Sequence, residues 1–335
     1  MKSAIKALTE GKNLSIDESK RVMNILLGGE ATQAQIGAFL TALRMKGETL
    51  DEIVGLASVL SEKAIHISPK VDKYIDFVGT GGDGTNTFNI STTSALVVAG
   101  AGVSVAKHGN RAISSKSGAG DVLEALGVNI TAKPEEVEKC VEEVGIGFMF
   151  AQIFNPAMKH VGQARSEMGI RTVFNILGPL ANPSGAKCQV IGVYDPKLTE
   201  VIAKAMLIMG VERAMVVSAK NGMDEVSTAE DTVVSEIKDG QVSTYTVTPE
   251  QFGMRRVDVI ELVGGTSKEN AKITIDILSG LKGPKKDIVI LNAACALYIA
   301  DKASSIEDGI KLAEESIHSG KAMEVLNKLI EFSNK

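Results

Sequence analysis

The sequence predicts an α/β protein built from a small all-helical N-terminal domain and a larger α/β domain whose mostly parallel sheet is flanked by helices. Two observations carry that expectation. Helix-start signals crowd the first 65 residues, and from about residue 70 short β-rich runs alternate with helical segments. Length is the third: 335 residues, 44% apolar and 23% charged, suffice for two compact units.

The N-terminal helices announce themselves through capping boxes. Ser15 with Glu18, Thr32 with Gln35 and Thr49 with Glu52 each place a hydroxyl three residues ahead of a Glu or Gln, and Gly28-Gly29 and Gly47 separate the segments. Ile36, Phe39, Leu40 and Leu43 fall on one helical face, as do Ile53, Leu56, Ala57 and Leu60. The alternating part begins with the strand YIDFV, a glycine loop, a helical segment near 91–100, and the strand VSVAK. Strands follow at VIGVYD and AMVVSA with the helix TEVIAKAMLIMG between them, and Asp239-Gly240 marks a hairpin. The last 70 residues read as helices. Between 155 and 185, Asn-Pro pairs bracket a helical spacing that fits the sheet poorly and reads as an excursion back to the helical layer. The expected division is a helical domain at 1–69, joined by the excursion at roughly 160–185, and an α/β domain at 70–335. A ligand is then expected in the cleft between them.

Composition narrows the function. A net charge of -5 and a pI near 5.6 provide no global basic field for nucleic acid. No run approaches the ~20 apolar residues of a membrane span, and the N-terminus MKSAIKALTEGKN lacks an apolar signal core, so a cytoplasmic location is expected. Cys140, Cys188 and Cys295 are too scattered for a disulfide scaffold or a zinc site, and read as buried thiols.

The chemistry concentrates in glycine-rich loops. Gly79-Thr80-Gly81-Gly82-Asp83-Gly84 has the spacing of a dinucleotide fingerprint, but no carboxylate stands between Gly84 and Asp121 to hold a ribose about 20 residues on, and Asp83 sits beside the proposed phosphates. A second loop, KHGNRAISSKSGAGD, offers Lys107, Arg111 and Lys116 with hydroxyl and N–H donors for anions. Asp224-Glu225, after the strand AMVVSA, would open toward the same sheet edge, where hard oxygen ligands suit magnesium on a polyphosphate.

Four stretches, GTGGDGTNTFNIST, KHGNRAISSKSGAGDVLEALG, NPAMKHVGQARSEMGIRTVFNILGPLANP and GMDEVS, together resemble the anthranilate phosphoribosyltransferase family, in order and over essentially the whole chain. The resemblance implies transfer of the 5-phosphoribosyl group from phosphoribosyl pyrophosphate to anthranilate, a pair of Mg2+ ions per active site, and a homodimer acting on small molecules, with no nucleic acid or membrane partner. It implies contacts to phosphoribosyl pyrophosphate from Gly79, Gly82, Asp83, Thr87, Asn89, Ile90, Ser91 and Thr92. The second loop would add Lys107, His108, Gly109, Asn110, Arg111, Ala112, Ile113, Ser114 and Ser115, with Ala119 after it. Magnesium would fall to Ser91, Asp224 and Glu225, and anthranilate to Gly79, Asn110 and Arg165. The chain departs from the family at Ala112 and at Ala119-Gly120, where serine and Ser-Ala are common, and at Gln152 and Asn155, where proline and histidine are common.

An aromatic amine is uncharged near neutral pH, so its attack needs no strong general base. His108 reads either as the group that takes the proton afterward or as a structural loop histidine. Arg165 suits the anthranilate carboxylate, whereas Arg171 reads as a surface charge. The alternative reading is a pyrimidine nucleoside phosphorylase-like enzyme, disfavoured by the tandem Asp224-Glu225. A dehydrogenase and a nucleic-acid-binding relative stand further back.

Overall fold

The structure is a computed structural model and describes residues 1–112 and 116–335, so the expected roles of Ile113, Ser114 and Ser115 lie outside the described residues. Helices α1 (Lys2–Thr9), α2 (Ile16–Leu27), α3 (Gln33–Lys46) and α4 (Leu50–Glu62) open the chain. All three expected capping boxes form: the backbone N–H groups of Ser15, Thr32 and Thr49 donate to Glu18, Gln35 and Glu52 at 2.9, 3.1 and 2.8 Å. Helix α1 has no side-chain cap, which is why no start signal announced it.

The alternation then runs β1 (Tyr74–Gly79), α5 (Ile90–Gly100), β2 (Ser104–Gly109), α6 (Ala119–Ala125), α7 (Pro134–Lys139) and β3 (Ile146–Phe150). After α8 (Ala151–Phe154), α9 (Lys159–Met168) and α10 (Phe174–Leu180) come β4 (Cys188–Gly192), α11 (Thr199–Ile208) and β5 (Arg213–Ala219). The hairpin β6 (Thr232–Lys238) and β7 (Gln241–Val247) turns through Asp239 and Gly240, both at positive φ, 51° and 71°. That is the backbone a two-residue primed turn needs. Helices α12 (Ser267–Leu278), α13 (Pro284–Ile299), α14 (Ile306–His318) and α15 (Lys321–Ser333) close the chain. Strand β3 has no counterpart in the sequence reading, because its short, wholly buried run IGFMF carries no alternation.

The sheet order is β3-β2-β1-β4-β5-β6-β7, parallel from β3 through β5 and antiparallel beyond. Side chains alternate between its two faces. Ile75, Phe77, Val105, Val190 and Met215 enter a core with α5, α13, α14 and α15. Val78, Ile191 and Val216 enter another with the N-terminal helices, α10 and α11. That second core also takes Val161 and Ala164 of α9 and Phe174 of α10, so the 160–185 segment packs with Phe39, Leu40 and Leu56 of the helical layer.

Candidate active site

The chain lays down β1, β2 and β3 in one direction and then returns to place β4 on the other side of β1. Strand order therefore reverses between β1 and β4, and a crevice opens outside their carboxyl ends. Gly79 and Gly192 are register partners at that edge. A Cβ on Gly192 would stand 1.6 Å from the Asp224 backbone oxygen, and one on Gly79 would stand 2.4 Å from Asp224 Oδ2. Both positions have to be bare for the loop after β5 to reach the crevice.

That loop brings the two carboxylates against the first glycine loop and the start of α5. Gly81 N–H donates to Asp224 Oδ2 at 2.7 Å, and Ser91 N–H donates to Glu225 Oε1 at 3.0 Å. Burial, reinforced by the charge of Asp83, pushes the Asp224 carboxyl up to about 7. Burial and neighbouring Asp224 hold Glu225 well above the usual carboxylate range. A buried carboxylate, Glu225, beside a half-buried one, Asp224, resists sharing negative charge, and the pair forms a site in want of a cation. Lys107, whose own pKa burial lowers despite the pull of Asp76, Glu225 and Asp224, supplies one. Its Nζ donates to Phe77 O and reaches Ser91 Oγ at 3.4 Å.

Two carboxylates, the Ser91 hydroxyl and exposed backbone are hard oxygen donors of the kind magnesium takes. Among the described residues no cluster of three or more His, Cys, Asp or Glu side chains offers a complete metal cage. A cation held here would therefore need oxygens from its substrate. The donor set fits magnesium carried by a polyphosphate.

Period two sends Lys107 and His108 to opposite faces of β2. His108 faces Asp76, whose Oδ2 lies 2.6 Å from Nδ1, while Nε2 lies 2.9 Å from the Gly178 carbonyl oxygen of α10. Both partners are acceptors, so the ring donates from both nitrogens as the imidazolium. Burial opposes that charge, but the Asp76 carboxylate outweighs it and the pKa of His108 is raised. The same pairing, against the cost of burial, holds Asp76 below its usual range. An imidazolium engaged at both nitrogens has no lone pair for a proton, which argues against His108 as the proton acceptor and for a strut between β2 and α10.

Helix α5 begins at the crevice with no side-chain cap from Asn89; its Ile90 N–H donates to Phe88 O at 2.8 Å and its Ser91 N–H to Glu225. Asn89 is fixed there: its Oδ1 accepts from Ser117 Oγ at 3.1 Å and Asn270 Nδ2 at 2.9 Å. Thr87 bridges to Val263 across the rim. Asp83 accepts from the Thr85 N–H at 3.2 Å and from its hydroxyl, so its visible role is to shape the loop. The Thr92 side chain is 2% exposed and its hydroxyl is buried, and Ile90 is 1% exposed, so any contact they make in the crevice is through backbone.

The base of the second loop is pinched where Gly118 meets Asn110 and Ala112 with no room for a Cβ. Asp121 closes it, accepting from the N–H groups of Ala112 and Gly118 at 2.8 and 2.9 Å. Ala119 packs on Gly109. Arg111 differs from the expectation of a phosphate-facing cation: its guanidinium is paired with Asp121 at 3.1 Å and with Glu124 at 2.7 and 2.8 Å. Asn110 is exposed, with its Oδ1 on the Arg111 N–H at 2.8 Å.

Arg165 projects from α9 with its guanidinium 5.0 Å from the Phe174 ring centroid. Burial alone lowers its pKa, with no carboxylate contributing. It is a half-buried cation suited to a planar carboxylate. No hydrogen bond among the described residues ties it to the carboxylate pair. Asn155 Oδ1, ahead of α9, is buried with no hydrogen-bond partner among the described residues. Arg171 is more than the surface charge it reads as, because it donates to the Gly82 carbonyl and stacks 4.3 Å from the Tyr194 ring centroid. Asp76 and Gly178 were also missed, although a carboxylate inside the apolar strand YIDFV was itself a signal.

Comparison with known proteins bears on the whole arrangement. Residues 2–64 match a family model described as the helical bundle domain of a glycosyl transferase family, and residues 71–323 match that family's a/b domain. The chain is 56% identical over 334 residues to an anthranilate phosphoribosyltransferase of Acetivibrio thermocellus, covering 100% of this chain and 97% of that protein. The crystal structure of the Thermus thermophilus anthranilate phosphoribosyltransferase superposes with a TM-score of 0.94 at 41% identity, covering 99% of each chain. The Saccharomyces cerevisiae enzyme in complex with PRPP and Mg superposes with a TM-score of 0.90 at 31% identity, covering 99% of this chain and 97% of that one.

Proposed function

The chain belongs to the anthranilate phosphoribosyltransferase family, and from that premise we propose how its crevice does the family's work. The protein transfers the phosphoribosyl group of phosphoribosyl pyrophosphate to anthranilate, forming N-(5-phosphoribosyl)anthranilate, as in tryptophan biosynthesis. The observation that carries the assignment of the site is the adjacent Asp224–Glu225 pair, held at the switch point by the N–H groups of Gly81 and Ser91.

In this reading the loop at Gly79, Gly82 and Asp83, the α5 N-terminus from Thr87 to Ser91, and Lys107 receive the phosphoribosyl pyrophosphate. The backbone of Thr92 and the second loop from Gly109 to Ala112, with Ala119, complete the cradle. Magnesium, as a pair of ions, would be held by Ser91, Asp224 and Glu225, and would neutralise charge on the departing pyrophosphate. Lys107, beside Ser91 and the carboxylate pair, adds a fixed cation where that charge develops. As the bond at the ribose carbon breaks, positive charge gathers on the sugar, as in glycosyl transfer generally. Arg165 orients anthranilate through its carboxylate, with Asn110 and the bare backbone of Gly79 beside it. The amine attacks with a lone pair it already has, consistent with a His108 ring engaged at both nitrogens.

A division into 1–69 with 160–185 against the rest, a homodimer and a cytoplasmic location complete the proposal. The shared core of the N-terminal helices with α9 and α10 supports the first. Among the described residues no helix is long and apolar enough to cross a membrane.

The test follows anthranilate fluorescence with phosphoribosyl pyrophosphate present and identifies the product by mass. Stoichiometric conversion to the phosphoribosyl adduct is expected, and no consumption under any divalent metal would overturn the assignment.

A further inference from the structure

We propose that Arg171 is a positioning residue for the glycine loop at 80–84, an inference that rests on reading this loop as part of the phosphoribosyl pyrophosphate site. Gly81, Gly82 and Gly84 have φ of 63°, 69° and 80°, and no side chain of theirs packs the loop into place. Its shape is set by tethers. Thr80 N–H donates to Gly192 O at 2.9 Å, Gly81 N–H donates to Asp224 Oδ2 at 2.7 Å, and Arg171 Nη2 donates to Gly82 O. Asp83 bonds within the loop, to Thr85.

The tethers differ in what becomes of them during turnover. The Asp224 carboxylate is also a proposed metal ligand, and lone pairs given to a cation hold an N–H less strongly. Arg171 has no such second duty. Its guanidinium lies against the Tyr194 ring, just beyond β4, which fixes the donor plane while leaving Nη2 directed at the loop. The arginine thus joins three segments that the chain brings together only in the fold: the loop after β1, the turn after β4 and the connection between α9 and α10. It also follows Arg165 across the left-handed turn at Gly169, whose N–H donates to Arg165 O at 3.3 Å. Loop position and the proposed anthranilate cation are therefore set by one stretch of backbone.

Steady-state kinetics and melting curves of Arg171→Ala, Arg171→Lys, Tyr194→Phe, Tyr194→Ala and the double alanine variant test this. Arg171→Ala is expected to raise the KM for phosphoribosyl pyrophosphate about tenfold. The KM for anthranilate at saturating cosubstrate, kcat and Tm should stay within about twofold or a few degrees of wild type. Lysine should recover part of the loss, since it keeps a donor without the planar stack, and Tyr194→Phe should match wild type. The double variant should be no worse than Arg171→Ala alone, the sign of two groups acting as one unit. An unchanged KM for phosphoribosyl pyrophosphate in Arg171→Ala, an equal rise in both KM values, or additive effects with Tyr194→Ala would overturn the inference. A wild-type enzyme that consumes no anthranilate would instead overturn the functional reading beneath it.

Discussion

The Arg165 guanidinium lies over the Phe174 ring, burial lowers its pKa, and no carboxylate among the described residues pairs with it, which supports the proposed role toward the anthranilate carboxylate. Arg165→Ala is expected to raise the KM for anthranilate about tenfold to a hundredfold, the range for a lost charge-assisted hydrogen bond, with little change for phosphoribosyl pyrophosphate. Equal effects on the two substrates would count against the assignment. His108 and Asp76 make a different kind of pair, one that titrates with the fold. The raised pKa of His108 means that its contribution is complete below the ordinary histidine value of 6.5 and is lost as pH rises through the folded-state value. The lowered pKa of Asp76 means that its contribution is present above the ordinary 3.8 and lost as pH falls through its depressed value. The Tm difference between wild type and His108→Asn should therefore be largest between those limits and shrink on the alkaline side. A difference that grows with pH would contradict the imidazolium assignment.

Among the elements, α4 and the end of β4 make the most specific demands. Glu52 closes the capping box of α4, accepts the Leu14 N–H at 2.9 Å and pairs with Lys46 at 2.9 Å, with the two side chains 0% and 7% exposed. Glu52→Ala leaves a buried lysine and two unpaired N–H groups, and should cost about 3 kcal/mol or more in a denaturant titration. At the end of β4, Gly192→Ala should abolish turnover while keeping the far-ultraviolet circular dichroism spectrum, because its Cβ would occupy the space of the Asp224 carbonyl. Activity within tenfold of wild type would show that the loop can move aside. These two cases also mark what was legible. A capping box spans four residues and reads directly from the chain, as did the helical start of the site at α5. The requirement at Gly192 is set by a loop that arrives from beyond β5, and no local pattern records it.

For the molecule as a whole, the order of strands decides where chemistry collects. Reversal between β1 and β4 gathers the glycine loop, the α5 N-terminus and the Asp224–Glu225 pair at one edge. That convergence was readable because the glycine loop and α5 follow one strand, β1, and the carboxylate pair follows another, β5. The assignments that failed to read were those decided by distant partners. Arg111 is neutralised by Asp121 and Glu124 on the following helix, Asp76 finds His108 on a neighbouring strand, and Arg171 reaches Gly82 from the excursion that packs on the helical layer. The proposed mechanism turns on the Asp224–Glu225 pair, which would hold the magnesium that lets pyrophosphate leave while anthranilate waits beside it. Its most direct test is the rate of anthranilate fluorescence loss, with phosphoribosyl pyrophosphate saturating, as Mg2+ is titrated into metal-free wild type and into the folded Asp224→Asn, Glu225→Gln double variant. The wild-type rate should rise from zero to saturation and the variant should stay flat at every concentration; full turnover by the variant, or by wild type in excess chelator, would contradict the claim.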